Sequence, residues 1–228
     1  AILKLGMTYV PLYPPIGMPR LAANVQVAQP QAVLVDDSTA EGFELLGTQS
    51  AKMINVPVAG STIGEAVPIR AQPGHKAMIL CTSGSTGIPK AVVHTHRRLK
   101  ALIEPHAIVQ EQDKPVYAAR VLQQSAFSFD LSIDQSMLAL CNGGCVFIVP
   151  SPKRGDPLAT VDMIARHKIT YTMCTPSEYS IWHRFARERL LDCTSWENAS
   201  SSGGPLSTAL VRSFASLSLP VLRVFNHC

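Results

Sequence analysis

Apolar positions along this chain fall in short, β-branched blocks separated by stretches with helical spacing. The blocks at 32–35, 52–56, 77–81, 91–94, 116–123, 145–149, 170–174 and 221–225 have the length and composition of strands. Between them, Thr95 is placed to cap a helix beginning at His96, with Pro105 limiting it. Ile133, Met137 and Leu140 recur at helical intervals. Asp156-Pro157 pairs an N-cap with a first-turn proline and predicts a helix to about His167. Ser207 caps another, with Leu210, Val211, Phe214 and Leu217 on one face. The opening AILKLGMTYVPLYP reads as a helix end running into a buried extended segment. Residues 60–75, rich in Gly, Pro and Thr, read as a surface connection. Strands alternating with helices of this size predict an α/β architecture with largely parallel sheets.

Composition adds limits. With 228 residues there is room for one large domain or two small ones. A hydrophobic fraction of 46% with 16% charged residues is that of a globular protein. The net charge of +4 comes from scattered Lys and Arg, and no basic stripe with interleaved aromatics exists for nucleic acid. The densest cluster, His94-Thr95-His96-Arg97-Arg98 with Lys100, reads as the solvated first turn of a helix. None of the six cysteines forms a C-x-x-C pair, and Cys141 and Cys145 flank a turn, so no metal site is indicated. Reduced thiols, no signal peptide and no apolar run of about 18 residues point to a cytoplasmic protein without a membrane partner. The chain starts without Met and stops as a strand finishes, so a fragment is expected.

The most specific chemistry lies at residues 82–90, Thr-Ser-Gly-Ser-Thr-Gly-Ile-Pro-Lys. The apolar run Met78-Ile79-Leu80 feeds into it and Ala91-Val92-Val93 follows, which places the loop between two buried strands. Gly84 and Gly87 allow positive φ and close approach of the backbone to a ligand. Successive N–H groups there can form an anion-binding concavity. Thr82, Ser83, Ser85 and Thr86 add hydroxyl donors, and Lys90 adds a compact positive charge. The set suits a polyphosphate. It is not a Walker loop, because Ile88 and Pro89 separate Gly87 from the lysine. A plain Ser/Gly surface loop is the alternative reading.

These nine residues resemble the phosphate-loop signature of the adenylate-forming (AMP-binding) superfamily. LKLGMTYVP at 3–11 resembles that family's LKAGxAYVP segment, Phe129-Asp130-Leu131-Ser132 its F-D-x-S motif, and Asn226 the first residue of its N-x-Y-G-P-T-E motif. FSFDLSIDQ, CNGG, KRGDP and TPSEY most resemble adenylation domains of fungal nonribosomal peptide and polyketide–peptide hybrid synthetases. The fold so implied is layered α/β, with two stacked, mostly parallel sheets and flanking helices. Residues 1–228 would then be a partial N-terminal adenylation domain without the C-terminal subdomain.

The resemblance also implies roles. ATP would bind with Mg²⁺, its outer phosphates on Thr82, Ser83, Gly84, Ser85, Thr86, Gly87 and Lys90. Gly203, Gly204 and Asn226 would border the adenine. Asp130 would pair with the α-ammonium of an amino-acid substrate, and Leu131, Asp134, Met173 and Ser202 would line its pocket. Asp130 as a simple helix cap and Met173 as plain core remain alternatives. The family's catalytic Lys would lie beyond the chain, so no catalytic residue is named, and the chain alone is expected to be inactive and poorly soluble. The carrier domain of a larger synthetase is the implied partner. Three positions depart from the pattern: Ala91 where Gly is usual, Pro205 where Glu follows the glycines, and Cys228 where Tyr is expected. An acyl- or aryl-CoA ligase fragment and a non-catalytic nucleotide-binding remnant are the competing readings.

Overall fold

The computed structural model of the chain describes residues 2–46, 51–56, 68–82, 89–108, 119–141 and 143–227. They divide into two compact units, Ala1–Ala101 and Leu102–Cys228. Both are built from α/β elements, as the periodicity predicts.

In the first unit, residues 2–6 form turns rather than the end of a helix, with Gly6 N–H donating to Leu3 O and Met7 N–H to Ile2 O. Local turn bonds satisfy the backbone where the apolar spacing suggested a helix. The segment then extends, and Tyr9 joins a parallel bridge to Met78. Helix α1 (Met18–Ala28) places Leu21 and Val25 against strand β1 (Ala32–Val35), with Leu46 closing the cluster. The helix ends where Gln29 turns left-handed and Pro30 follows. Strand β2 (Lys52–Asn55) pairs in parallel with β1. Strands β3 (Lys76–Thr82) and β4 (Lys90–Thr95) form an antiparallel pair. β3 is buried at Ala77, Met78 and Leu80, but β4 is exposed from Lys90 to Val93, so only one of the two expected strands is buried. Helix α2 (His96–Ile108) starts where Thr95 Oγ1 accepts from Arg98 N–H. It continues through Pro105, correcting the expected stop. The proline forfeits one helical N–H bond without ending the helix.

The second unit is a five-stranded, all-parallel sheet in the order β6-β5-β7-β8-β9. Its elements run β5 (Arg120–Gln123), α3 (Leu131–Cys141), β6 (Cys145–Ile148), α4 (Pro157–Arg166), β7 (Tyr171–Cys174), α5 (Pro176–Phe185), α6 (Arg187–Leu190), β8 (Asn198–Ser202), α7 (Thr208–Ala215) and β9 (Arg223–His227). Strand alternation divides the core. Val121, Tyr171 and Met173 pack with Leu131, Leu138 and Ala139 of α3. Leu122, Cys174 and Ala199 pack with α4 to α7 around Tyr179, Trp182, Trp196 and Phe214. Tyr179 meets Trp182 and Phe214 edge-on at 5.3 and 5.2 Å. The polar tips of these rings are satisfied, since Tyr179 Oη donates to Ser200 O and Trp196 Nε1 to Thr172 Oγ1.

The expected caps form at Asp156, which accepts from Leu158 and Ala159 N–H, and at Ser207, which accepts from Leu210 N–H. Two apolar faces differ from expectation. Leu140 (63% exposed) and Val211 (48%) point outward. In α3 the buried residues are Leu131, Ser132, Ile133, Gln135, Leu138 and Ala139, so Ile133 faces inward as expected but polar Ser132 and Gln135 share the buried side. The turn into β6 needs Gly144, because a Cβ there would collide with the carbonyl oxygen of Ala119.

Candidate active site

In the first unit, Thr82 and Lys90 face each other as the last pair of the β3–β4 ladder. Thr82 Oγ1 leans 3.4 Å from Lys90 O, and both residues are exposed. The ladder therefore fixes the two ends of the candidate phosphate loop side by side. Ser83, Gly84, Ser85, Thr86 and Gly87 lie outside the described residues.

In the second unit the strand order creates a switch point. The chain leaves β5 for β6 on one side and returns to β7 on the other, and ligands of open α/β sheets bind beyond the strand ends at such a place. The β5–β6 and β7–β8 ladders each register four residue pairs, but β5 and β7 register at Val121↔Tyr171 alone. Beyond that pair, side chains replace the ladder. Met173 O accepts from Gln124 Nε2 at 2.9 Å and from Gln135 Nε2 at 2.8 Å. Gln135 Nε2 also reaches Ser125 Oγ, and Gln135 Oε1 accepts from Ser125 N–H. Gln123, Gln124 and Gln135 are all buried. Sequence reading missed this glutamine cluster. The available signals were a Gln-Gln-Ser run at a strand end and a glutamine within the apolar stripe of a helix.

The loop after β5 carries the F-D-x-S motif, and its geometry explains the motif. Ser132 Oγ bonds the carbonyls of Phe127 (3.0 Å) and Phe129 (2.7 Å), folding the loop onto the start of α3. Asp130 precedes the helix, accepts from Leu131 N–H at 2.9 Å, and is exposed at the switch point. It is thus a helix cap and also an accessible carboxylate. Asp134, one turn further on, is half-buried. Burial and the negative charge of Asp130 push its carboxyl up to about 6. Its Oδ1 is buried without a hydrogen-bond partner among the described residues. Tyr171 across from it is pushed up to about 12, mainly by burial.

The other candidates lie on the same unit. Leu131 and Met173 are buried, 5% and 2% exposed, in the apolar cluster beneath α3. Ser202 ends β8, and Gly203 takes φ +86°, a conformation that favours glycine. Gly203 and Gly204 lie against Thr175 and Pro176, so the turns after β7 and β8 sit side by side. Asn226 of β9 pairs in register with Ser201. Among the described residues no three His, Cys, Asp or Glu side chains gather to hold a metal, and no helix is long and apolar enough to cross a membrane.

Comparison with known proteins agrees with this architecture. The chain is 43% identical over 227 residues to trichosetin synthetase PKS-NRPS1 of Gibberella fujikuroi, covering 99% of this chain. It is 40% identical over 231 residues to the hybrid PKS-NRPS synthetase prlS of a fungal species (strain NRRL 50135), covering 100% of it. The chain spans only 6% of the length of each relative. Among solved structures, the nonribosomal peptide synthetase FmoA3 in its α-methyl-L-serine-AMP-bound form superposes with a TM-score of 0.80. That match has 22% identity and covers 97% of this chain and 24% of that one. The profile of the family described as "AMP-binding enzyme" matches residues 1–225. Given this match across nearly the whole sequence, the chain belongs to the AMP-binding enzyme family.

Proposed function

We propose that this chain carries phosphate-binding and amino-acid-recognition parts of a domain that activates an α-amino acid with ATP as an aminoacyl adenylate, within a larger peptide or polyketide–peptide synthetase. The placement of Asp130 carries the reading. A carboxylate that caps α3 with one oxygen and stays exposed beyond the strand ends suits a substrate ammonium. The similarity to fungal hybrid synthetases, and the aminoacyl-AMP analogue named for FmoA3, support it.

In the first unit, Thr82 to Gly87 and Lys90 hold the outer phosphates of ATP on this reading. In the second, Asp130 orients the amino acid, Asp134, Leu131, Met173 and Ser202 border its side chain, and Gly203, Gly204 and Asn226 border the adenine. A carboxylate oxygen of the substrate forms a bond to the α-phosphorus, and the bond to the departing pyrophosphate breaks. The contribution of these residues is positioning and charge compensation. Mg²⁺, implied by the family resemblance, would supply neutralisation of charge on the triphosphate beside Lys90. The aminoacyl group then passes to a carrier domain in the cytoplasm.

The test is amino-acid-dependent ATP–pyrophosphate exchange by the full-length protein. Asp130→Ala is expected to raise the amino-acid KM at least about tenfold, the scale of a lost charge-assisted hydrogen bond. An unchanged KM removes the role of Asp130. Activation of fatty or aryl acids instead would assign an acyl- or aryl-CoA ligase. A second reading, a nucleotide-binding remnant, draws on Pro205 standing where an acid is expected. ATP binding without exchange for any acid would favour it.

A further inference from the structure

We propose that Arg154 is a positioning residue for amino-acid activation, its guanidinium clamping the loop of residues 123–130 so that Asp130 faces the substrate ammonium. The inference rests on the amino-acid reading of Asp130 above. Arg154 follows the short turn Ser151–Lys153 at the end of β6. Its Nε donates to Val149 O at 3.2 Å, which anchors it to its own strand end. Its Nη2 donates to Gln123 Oε1 at 2.8 Å, and its Nη1 donates to Ser125 O. Its Cζ lies 4.7 Å from the centre of the Phe127 ring. One planar group therefore joins the end of β6, the end of β5 and the loop between β5 and α3.

The loop needs such a clamp because apolar burial does not fix it. Phe127 and Phe129 are 38% and 45% exposed. Polar contacts hold its two ends instead. Arg154 and Gln135 grip Ser125, Ser132 grips Phe127 and Phe129, and Asp130 is the next residue along. The fork geometry makes the clamp specific to arginine. Lysine has no planar fork with which to reach Val149 O, Ser125 O and Gln123 Oε1 together while lying over a ring.

The experiment is a double-mutant cycle in the full-length protein, read by ATP–pyrophosphate exchange. Arg154→Met is expected to raise the amino-acid KM roughly tenfold, as a misplaced binding group does, and to leave the KM for ATP unchanged. In an Asp130→Asn background the same substitution adds less than about twofold, because the group it acts through has lost its charge. Arg154→Lys recovers only part of the loss. Phe127→Leu keeps the hydrogen bonds, raises the same KM by a smaller factor, and decides the matter with Arg154→Lys if Arg154→Met does not fold. If Asp130→Asn raises the amino-acid KM while the Arg154 and Phe127 variants do not, the clamp is wrong and the amino-acid reading stands. If Asp130→Asn has no effect, the reading falls and the clamp with it. Both KM values rising together would make Arg154 merely structural and overturn the proposal.

Discussion

Asp134 is a carboxyl group that water reaches poorly, one helical turn from a second carboxyl. Burial first, and the charge of Asp130 second, disfavour its anion and raise it to about 6. A carboxyl raised on folding is neutral in both states below the unfolded value of about 4. Between about 4 and 6 the folded protein holds the proton and the unfolded chain does not. Stability is therefore lost as pH rises through this window, about 3 kcal/mol in all, and is not regained above it. Asp134→Asn is expected to flatten this slope: between pH 4 and pH 7 the melting temperature of the wild type falls relative to the variant. Parallel profiles would show that Asp134 titrates normally. At this scale the sequence was legible where a residue stands at a helix start. Asp130 stands where F-D-x-S suggests, exposed at a helix start. Gln124 and Gln135 were not legible, because they bridge a strand gap that only the tertiary arrangement creates, and Arg154 was not, because its partners Ser125 and Gln123 lie 29 and 31 residues away along the chain.

At the level of elements, local capping chemistry was the most readable signal. Thr95, Asp156 and Ser207 cap the helices expected of them, since a side-chain oxygen can satisfy end N–H groups without help from the rest of the fold. The same signal stands at Thr175-Pro176-Ser177-Glu178, where Thr175 Oγ1 accepts from Glu178 N–H and α5 begins. Thr175→Ala is expected to cost about 1 kcal/mol and lower the melting temperature by roughly 2–4 °C. No change would mean that packing of Tyr179 and Trp182 alone sets the helix start. Strand β8 is absent from the apolar blocks. Asn198, Ser200 and Ser201 are buried although their side chains are polar, so hydropathy alone conceals them. Pro105 misled in the opposite sense, since α2 tolerates it.

For the whole molecule, the class of fold followed from alternation of strand and helix, but sheet order did not. Nothing in the spacing of apolar residues says that β5 lies between β6 and β7. The antiparallel β3–β4 pair within an otherwise parallel set was equally hidden. The order has a measurable result. β7 and β8 are bonded on both sides and buried, whereas β6 and β9 are edges. In hydrogen exchange, amides of β7 and β8 are expected to be the slowest of the sheet and those of β9 among the fastest. Uniform rates across the five strands would contradict this.

The gap between β5 and β7 also carries an expectation about the order of assembly. Gln124 and the Met173 carbonyl it holds are 49 residues apart, and β6 and α4 must be laid down between them. During synthesis β5 can pair with β6 as soon as β6 emerges, while the loop that carries Asp130 lacks its second wall until β7 arrives. Closing so long a segment is slow compared with forming a local turn. The loop that carries Asp130 is thus expected to be completed late, after the centre of the sheet has closed.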